Sequence, residues 1–241
     1  MTKIEIISII CMKSQTMYIG FDDTDSPNGM CTTYLAYKMV NLLKKQKVSF
    51  LDFPYLIRFN PNIPWKTRGN GAVGLIISTN NPQKIKQLVK NLIRTYSDTK
   101  NGANPGLVFF EKEKIPDEFK EFSSKALWKL IHRDDAKKFI LKYNLDSFYL
   151  GNGQGLVGSI GVIGYTFFDQ TFELLSYRNE SKFGTKRKID QKEVKIMQEK
   201  TFPETFNSYD GSRDKILISP HGPDPVFYGI RGETPLSLIA A

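Results

Sequence analysis

Met17-Tyr18-Ile19-Gly20-Phe21-Asp22-Asp23-Thr24-Asp25-Ser26-Pro27-Asn28-Gly29-Met30-Cys31-Thr32-Thr33-Tyr34-Leu35 opens the working part of the chain. Residues 17–21 read as a short strand that runs into acidic residues. From Thr32 to Lys47 the apolar positions Tyr34, Leu35, Met39, Val40, Leu42 and Leu43 recur at helical spacing. The order is strand, acidic loop, helix. Three carboxylates at a strand end repel one another and lose hydration unless a cation or hydrogen-bond donors compensate them. Mg²⁺ fits that need, because it is held by one or two carboxylates together with substrate phosphates and waters. Asp22, Asp23 and Asp25 are therefore the candidate metal residues. Thr32 or Thr33 as helix N-cap would place free backbone N–H groups where a phosphate can sit. Read alone, the segment also fits an Asp-rich turn with an ordinary cap. No Walker A motif occurs in the chain, so a P-loop enzyme is not the pattern.

Outward from this segment, residues 48–53, 55–59, 72–78 and 106–110 are strand-like, and Pro82 to Tyr96 is a helix with Pro at its start. Helical patterns over 116–130 and 134–142 lead to a glycine-rich stretch, and a domain junction is expected near 145–152. Beyond it come a helix over 156–163, a strand over 171–177, a helix over 190–200 and short strands near Phe206, Ile216 and Val226. Mixed order over this length suits an α+β sandwich of the ferredoxin-like kind. The expected division is 1–16 as an extension or misassigned start, 17–148 as the first domain and 149–241 as the second, in agreement with a length of 241 residues. Gly153-x-Gly155-x-x-Gly158 resembles a dinucleotide fingerprint but lacks a good preceding strand and the acidic partner, so close helix packing is the better reading.

Asn60 to Ala72 is a second constellation, NPNIPWKTRGNGA. Lys66 and Arg68, with Trp65 and a Gly69-Asn70-Gly71 turn, offer cations, a stacking ring and backbone donors to a triphosphate or a base. A hairpin turn with incidental basic residues is the plain alternative.

The formal charge of +9 lies wholly in residues 1–150, and residues 38–100 carry 12 basic against 2 acidic side chains. Such asymmetry fits a polyanion partner or a solvated basic face. Two cysteines, Cys11 and Cys31, and two histidines, His132 and His221, are too few and too scattered for a structural zinc site. Low cysteine content and the lack of a cleavage-site pattern behind the apolar Ile4 to Cys11 point to a cytoplasmic protein. No stretch reaches the roughly 20 apolar residues of a membrane span.

Together DDTDS-x-x-GMCTTYL, RFNPNIPWKTRGNGAV, GQGLVGSIGVIGY, LLSYR and PHGPDPVFYGIRGE resemble the archaeal tRNA(Ile) 2-agmatinylcytidine synthetase (agmatidine synthase) family over residues 17–234. The resemblance implies an ATP-binding kinase-like α/β domain followed by a ferredoxin-like domain. It implies ATP- and Mg²⁺-dependent attachment of agmatine to C2 of the wobble cytidine in isoleucine tRNA with a CAU anticodon, so that the tRNA decodes AUA. In that chemistry the C2 oxygen is activated by phosphorylation, ATP ends as AMP and phosphate, and the amine of agmatine displaces the phosphate. Thr32 matches the threonine that becomes phosphorylated, and Asp22, Asp23 and Asp25 match the acidic ATP and metal site. By position in the matched segments, Thr33, Lys66, Arg68, Gly69, Asn70 and Gly71 become candidate nucleotide contacts. Asp224 and Glu233 are candidates for the agmatine guanidinium, with Tyr228 offering a ring face, and a Pro-rich turn ahead of a core strand is the plain alternative for this segment; His221 is read as a hydrogen-bonded loop residue. Family members continue into an OB-fold and a zinc ribbon, so a short form is expected, with tRNA gripping lost or supplied by a separate chain. The alternative is a noncatalytic nucleic-acid-binding module, which would need the basic region but not three clustered carboxylates.

Overall fold

The computed structural model describes residues 14–241. The expectations for Cys11 and for the apolar run at 4–11 lie outside the described residues. The first strand, β1 (Gln15–Asp22), begins two residues before Met17, and Gln15 and Thr16 pair in register with Thr79 and Ser78. These two residues thus belong to the sheet and not to an extension. Alternation along β1 sends Met17, Ile19 and Phe21 to one face, where helices α1 (Thr32–Lys44) and α2 (Pro82–Tyr96) bury Leu35, Met39, Leu43, Ile85, Val89 and Ile93 against them. Each such side chain contributes about 1.5–3 kcal/mol on leaving water. Asn81 caps α2, its side chain accepting from the Lys84 N–H at 3.2 Å.

Strands β2 (Ser49–Phe50), β3 (Tyr55–Arg58) and β4 (Gly71–Thr79) follow α1, and β5 (Gly106–Phe110) follows α2. Every pairing in the six-stranded sheet is antiparallel, in the order β2-β4-β1-β5-β6 with β3 also on β4. Its last strand, β6 (Asp146–Tyr149), occupies the expected junction; four residues of mixed polarity carry no period-two signal, and only the edge of β5 makes them a strand. Helices α3 (Asp117–Ala126), α4 (Arg133–Tyr143) and α5 (Leu156–Gly164) cover the second face through Phe119, Phe122, Ile140, Ile160 and Ile163.

Helix α5, expected in the second unit, packs on the first sheet. Its glycines allow the approach: a Cβ on Gly20 of β1 would lie 2.1 Å from the Ser159 carbonyl oxygen. The helix-packing reading of Gly153–Gly158 is the one the backbone adopts.

The second unit carries β7 (Phe172–Tyr177), α6 (Gln191–Thr201), β8 (Thr205–Phe206), the hairpin β9 (Tyr209–Asp210) and β10 (Lys215–Ile216), β11 (Val226–Gly232) and α7 (Pro235–Ala240). An antiparallel β7-β11-β8 sheet backed by both helices through Val194, Ile230 and Leu238 is an α+β sandwich of the expected ferredoxin-like class. Its other sheet face turns toward the first unit. The two units meet in an aromatic cluster, where Tyr177 lies 5.2 Å from the rings of both Tyr34 and Tyr37, and Glu180 accepts from Tyr34 Oη at 2.9 Å and Lys38 Nζ at 2.6 Å.

Candidate active site

At the end of β1 the chain turns sharply, with Asp23 in the left-handed region at φ 55°. That turn places three carboxylates in the lining of a cavity of about 600 Å³ between the two units. The Asp23 N–H donates to Asp22 Oδ1 at 2.7 Å, and the Asn104 N–H donates to Asp23 Oδ2 at 3.2 Å. Burial, reinforced by the neighbouring Asp23 and Asp25 charges, pushes the Asp22 carboxyl up to about 8 against the pull of Arg58. Burial and Asp25 push Asp23 up to about 6. Asp25 is also raised by burial, while Arg68 holds it down through an Nη1 to Oδ2 contact of 2.9 Å. The cluster is short of positive charge. Among the described residues no three His, Cys, Asp or Glu side chains converge tightly enough to hold a metal by themselves. Two desolvated carboxylates beside an anion-binding helix start do fit a Mg²⁺ that shares its coordination with phosphates.

Thr32 is the first residue of α1, is 6% exposed and lines the cavity. Thr24 Oγ1 donates to Thr32 Oγ1 at 3.1 Å, which links the acidic loop to the helix start. The expected Thr32 or Thr33 cap is corrected: Cys31 takes the N-cap position in extended conformation, with no side-chain cap bond. Thr33 instead packs its Oγ1 against Cys31 Sγ at 3.1 Å, and burial pushes the Cys31 thiol up. The first-turn N–H groups of α1 therefore face the cavity without a side-chain cap.

In the 60–71 loop, Arg68 serves the acidic loop as a clamp. Besides Asp25, its Nη1 donates to the Met30 carbonyl at 2.8 Å and its Nη2 to the Ser26 carbonyl at 3.0 Å. Lys66 Nζ donates to the Pro61 carbonyl, and Asn70 Nδ2 donates to the Asn60 carbonyl at 2.7 Å. Gly69, Asn70 and Gly71 line the cavity beside Thr32 and Thr33. Arg58, which the strand reading of 55–59 passes over, is a cavity-lining cation; a Cβ on Gly69 would lie 2.3 Å from its Nη1, so the glycine makes room for the guanidinium. Lys129, in the turn after α3, is a further cation there.

On the opposite wall stand Glu173 and Leu175 of β7, Gly229 and Arg231 of β11, and Asp224. Asp224 is 3% exposed and already engaged: Arg187 Nη2 and the Val226 N–H both donate to its Oδ1 at 3.0 Å. Tyr228 does not join the cavity lining, because its alternate on β11 faces inward; its ring packs toward α6 and α7 beside Ile230. Glu233 is solvent-exposed past the end of β11, outside the lining, and its N–H donates to the Glu204 carbonyl at 2.9 Å. His221 is likewise exposed. Glu173, with Arg231 Nε 3.5 Å from its Oε1, is the acidic residue on this wall that sequence reasoning missed. Its place within an otherwise alternating strand carries no local signal.

Two domain families match the chain, the TiaS TCKD domain over residues 18–152 and the TiaS FLD domain over 153–241. The isoleucine tRNA 2-agmatinylcytidine synthetase TiaS of Cenarchaeum symbiosum is 48% identical over 225 residues, covering 93% of this chain and 50% of the relative. The protein of the same name from Methanocaldococcus jannaschii is 42% identical over 224 residues, covering 90% of this chain and 52% of the relative. Among solved structures, the complex of TiaS with isoleucine tRNA and ATP matches with a TM-score of 0.89 at 36% identity, over 93% of this chain and 54% of that one. The complex of TiaS with isoleucine tRNA, AMPCPP and agmatine matches at 0.87 and 34% identity, over 93% and 55%. The chain spans about half the length of the curated relatives it matches. On the agreement of both domain matches with these relatives, the chain belongs to the TiaS family.

Proposed function

We propose that this chain carries out the ATP-dependent conjugation of agmatine to C2 of the wobble cytidine in the CAU anticodon of isoleucine tRNA. What supports the reading above all is the convergence of Asp22, Asp23, Asp25 and Thr32 at the start of α1, on one wall of a 600 Å³ cavity whose other wall carries Glu173 and Asp224. One wall suits phosphates and the other a cationic amine. The relatives named for this reaction, and the complex of TiaS with isoleucine tRNA, AMPCPP and agmatine, supply the substrates of the proposal.

In this reading Asp22 and Asp23 would hold Mg²⁺, which would supply neutralisation of phosphate charge there. Arg68 fixes Asp25 and the turn from Ser26 to Met30, while Arg58 and the first-turn amides of α1 take the remaining phosphate charge. Thr32 accepts a phosphoryl group on Oγ1. ATP gives one phosphoryl group to Thr32, released later to water as phosphate, and another to the C2 oxygen of cytidine, ending as AMP; the agmatine amine then forms the C2–N bond and loses a proton as the second phosphate departs with the C2 oxygen. Positioning and charge neutralisation carry most of the acceleration, as in other phosphoryl transfers. The tail of agmatine lies along Glu173, with Asp224 held in place by Arg187. The first unit takes in β6 and, by packing, α5, and the protein works in the cytoplasm.

Incubation with Mg²⁺ and ATP in the absence of tRNA tests the first half. The expected result is one added phosphoryl group by intact mass, absent from Thr32→Ala and Asp23→Ala proteins. Addition of the tRNA and agmatine should then yield agmatidine in the digested RNA. A wild-type chain that neither binds nor turns over ATP overturns the proposal and favours a noncatalytic RNA-binding module.

A further inference from the structure

The sequence contains two tryptophans, each followed by lysine: Trp65-Lys66 and Trp128-Lys129. Tryptophan is on average a well-buried residue, yet Trp65 is 45% exposed and Trp128 is 64% exposed. Trp65 lines the cavity, and Trp128, itself outside the lining, is the chain neighbour of Lys129, which lines it. Trp65 and Lys66 line it from the 60–71 loop; Lys129 lines it from the turn after α3, and also lines the groove between α3 and α4. The two loops are tied together, since the Asn60 N–H donates to the Ala126 carbonyl at 3.1 Å. Lys129 Nζ sits 4.6 Å from the centroid of the Trp128 ring, and Lys66 Nζ donates to a backbone carbonyl, so neither contact neutralises a lysine charge. Trp65 offers a stacking ring to a base, and nothing in the phosphate and amine chemistry of the cavity requires the exposed indole of Trp128.

We propose that the two Trp-Lys pairs form a platform for single-stranded RNA at the mouth of the cavity, the indoles stacking unpaired nucleobases that flank the reacting base and the lysines meeting the intervening phosphates. Every base has a π-face, so aromatic stacking holds single strands whatever their sequence, and a duplex, with its bases already stacked, gains nothing from it. The inference deepens the reading of the site as RNA-modifying and rests on it for the identity of the reacting base.

With two tryptophans, fluorescence separates them: Trp65→Phe leaves the emission of Trp128 alone, and Trp128→Phe leaves that of Trp65. A short single-stranded RNA and an RNA hairpin loop should quench each, and a blunt RNA duplex should quench neither. Trp128→Ala should weaken binding of the single strand by about 5- to 150-fold, the range of one lost stacking contact, while Trp128→Phe keeps most of it. ATP affinity, measured on the same proteins, should not respond to the Trp128 changes. Lys66→Ala with Lys129→Ala should flatten the salt dependence of RNA binding. Equal quenching by duplex and single strand, or unchanged RNA affinity in Trp128→Ala, overturns the platform. Concentration-dependent self-association abolished by Trp128→Ala also overturns it, in favour of a protein-contacting face. Loss of ATP binding by the wild type would remove the proposed reaction but leave the quenching result to decide the platform.

Discussion

A carboxyl group buried beside other carboxyls gives up its proton late, and the folded state suffers when it must. Asp22 is held at about 8 and Asp23 at about 6, both above the 3.8 of a free aspartate. A folded-state value above the unfolded one means stability that is present at low pH and lost as pH rises through the folded value. The free protein should therefore lose thermal stability progressively between about pH 4 and pH 8 on account of these groups. Asp22→Asn, which keeps the shape and removes the charge, should flatten the upper part of that slope in melts across pH. Arg68 is the neutralising group already in place, with charge-assisted bonds to Asp25 and to two carbonyls of the turn. Arg68→Ala should cost about 1.5–3 kcal/mol in denaturant titrations and weaken ATP binding with it. Arg68→Lys should restore little, because one ammonium cannot span the acceptors that a planar guanidinium reaches.

Among the elements, α5 places the most constraint on the site. A Cβ on Gly158 would lie 2.0 Å from Asp22 Oδ2, so the carboxylate rests directly on the helix backbone. Alanine improves helix propensity by about 1 kcal/mol. At this position the overlap reverses the sign: Gly158→Ala should destabilise by about 1–3 kcal/mol and lose ATP binding by displacing Asp22, as calorimetry would show. The helix itself is legible from its apolar run, and so are α1 and α2 from their period and the Pro82 start. What the pattern lacks is the neighbour. A helix that is apolar all round can be covered from any side, and only the glycine contacts with β1 put α5 on the first sheet. Strand β6 shows the converse, four residues with no intrinsic strand signal recruited by an open edge of β5.

At the scale of the molecule the cavity exists because the second unit is held against α1, the helix whose first residue is Thr32. Tyr177 packs its ring on Tyr34 and Tyr37, while Glu180 gathers Tyr34 and Lys38. Tyr177→Ala should remove about 1–3 kcal/mol of packing, less than a fully buried aromatic truncation because Tyr177 is only partly buried. It should raise the KM for agmatine more than that for ATP, since the amine wall belongs to the second unit.

Locally encoded features were readable before any fold existed: the strand, acidic loop and helix of 17–47, the Gly69-Asn70-Gly71 turn and the candidate aspartates with Thr32. Each depends on residues within a few positions of one another, where period, charge repulsion and turn chemistry act. Partnerships across the chain were not readable. Arg68 meets Asp25 over 43 positions, and Arg187 meets Asp224 over 37, which turns one expected nucleotide contact into a clamp and one expected amine contact into a braced residue. Alternation along β11 says that Tyr228 and Gly229 point opposite ways; which of them looks into the cavity is decided by where α6 and α7 pack, and that is tertiary structure alone.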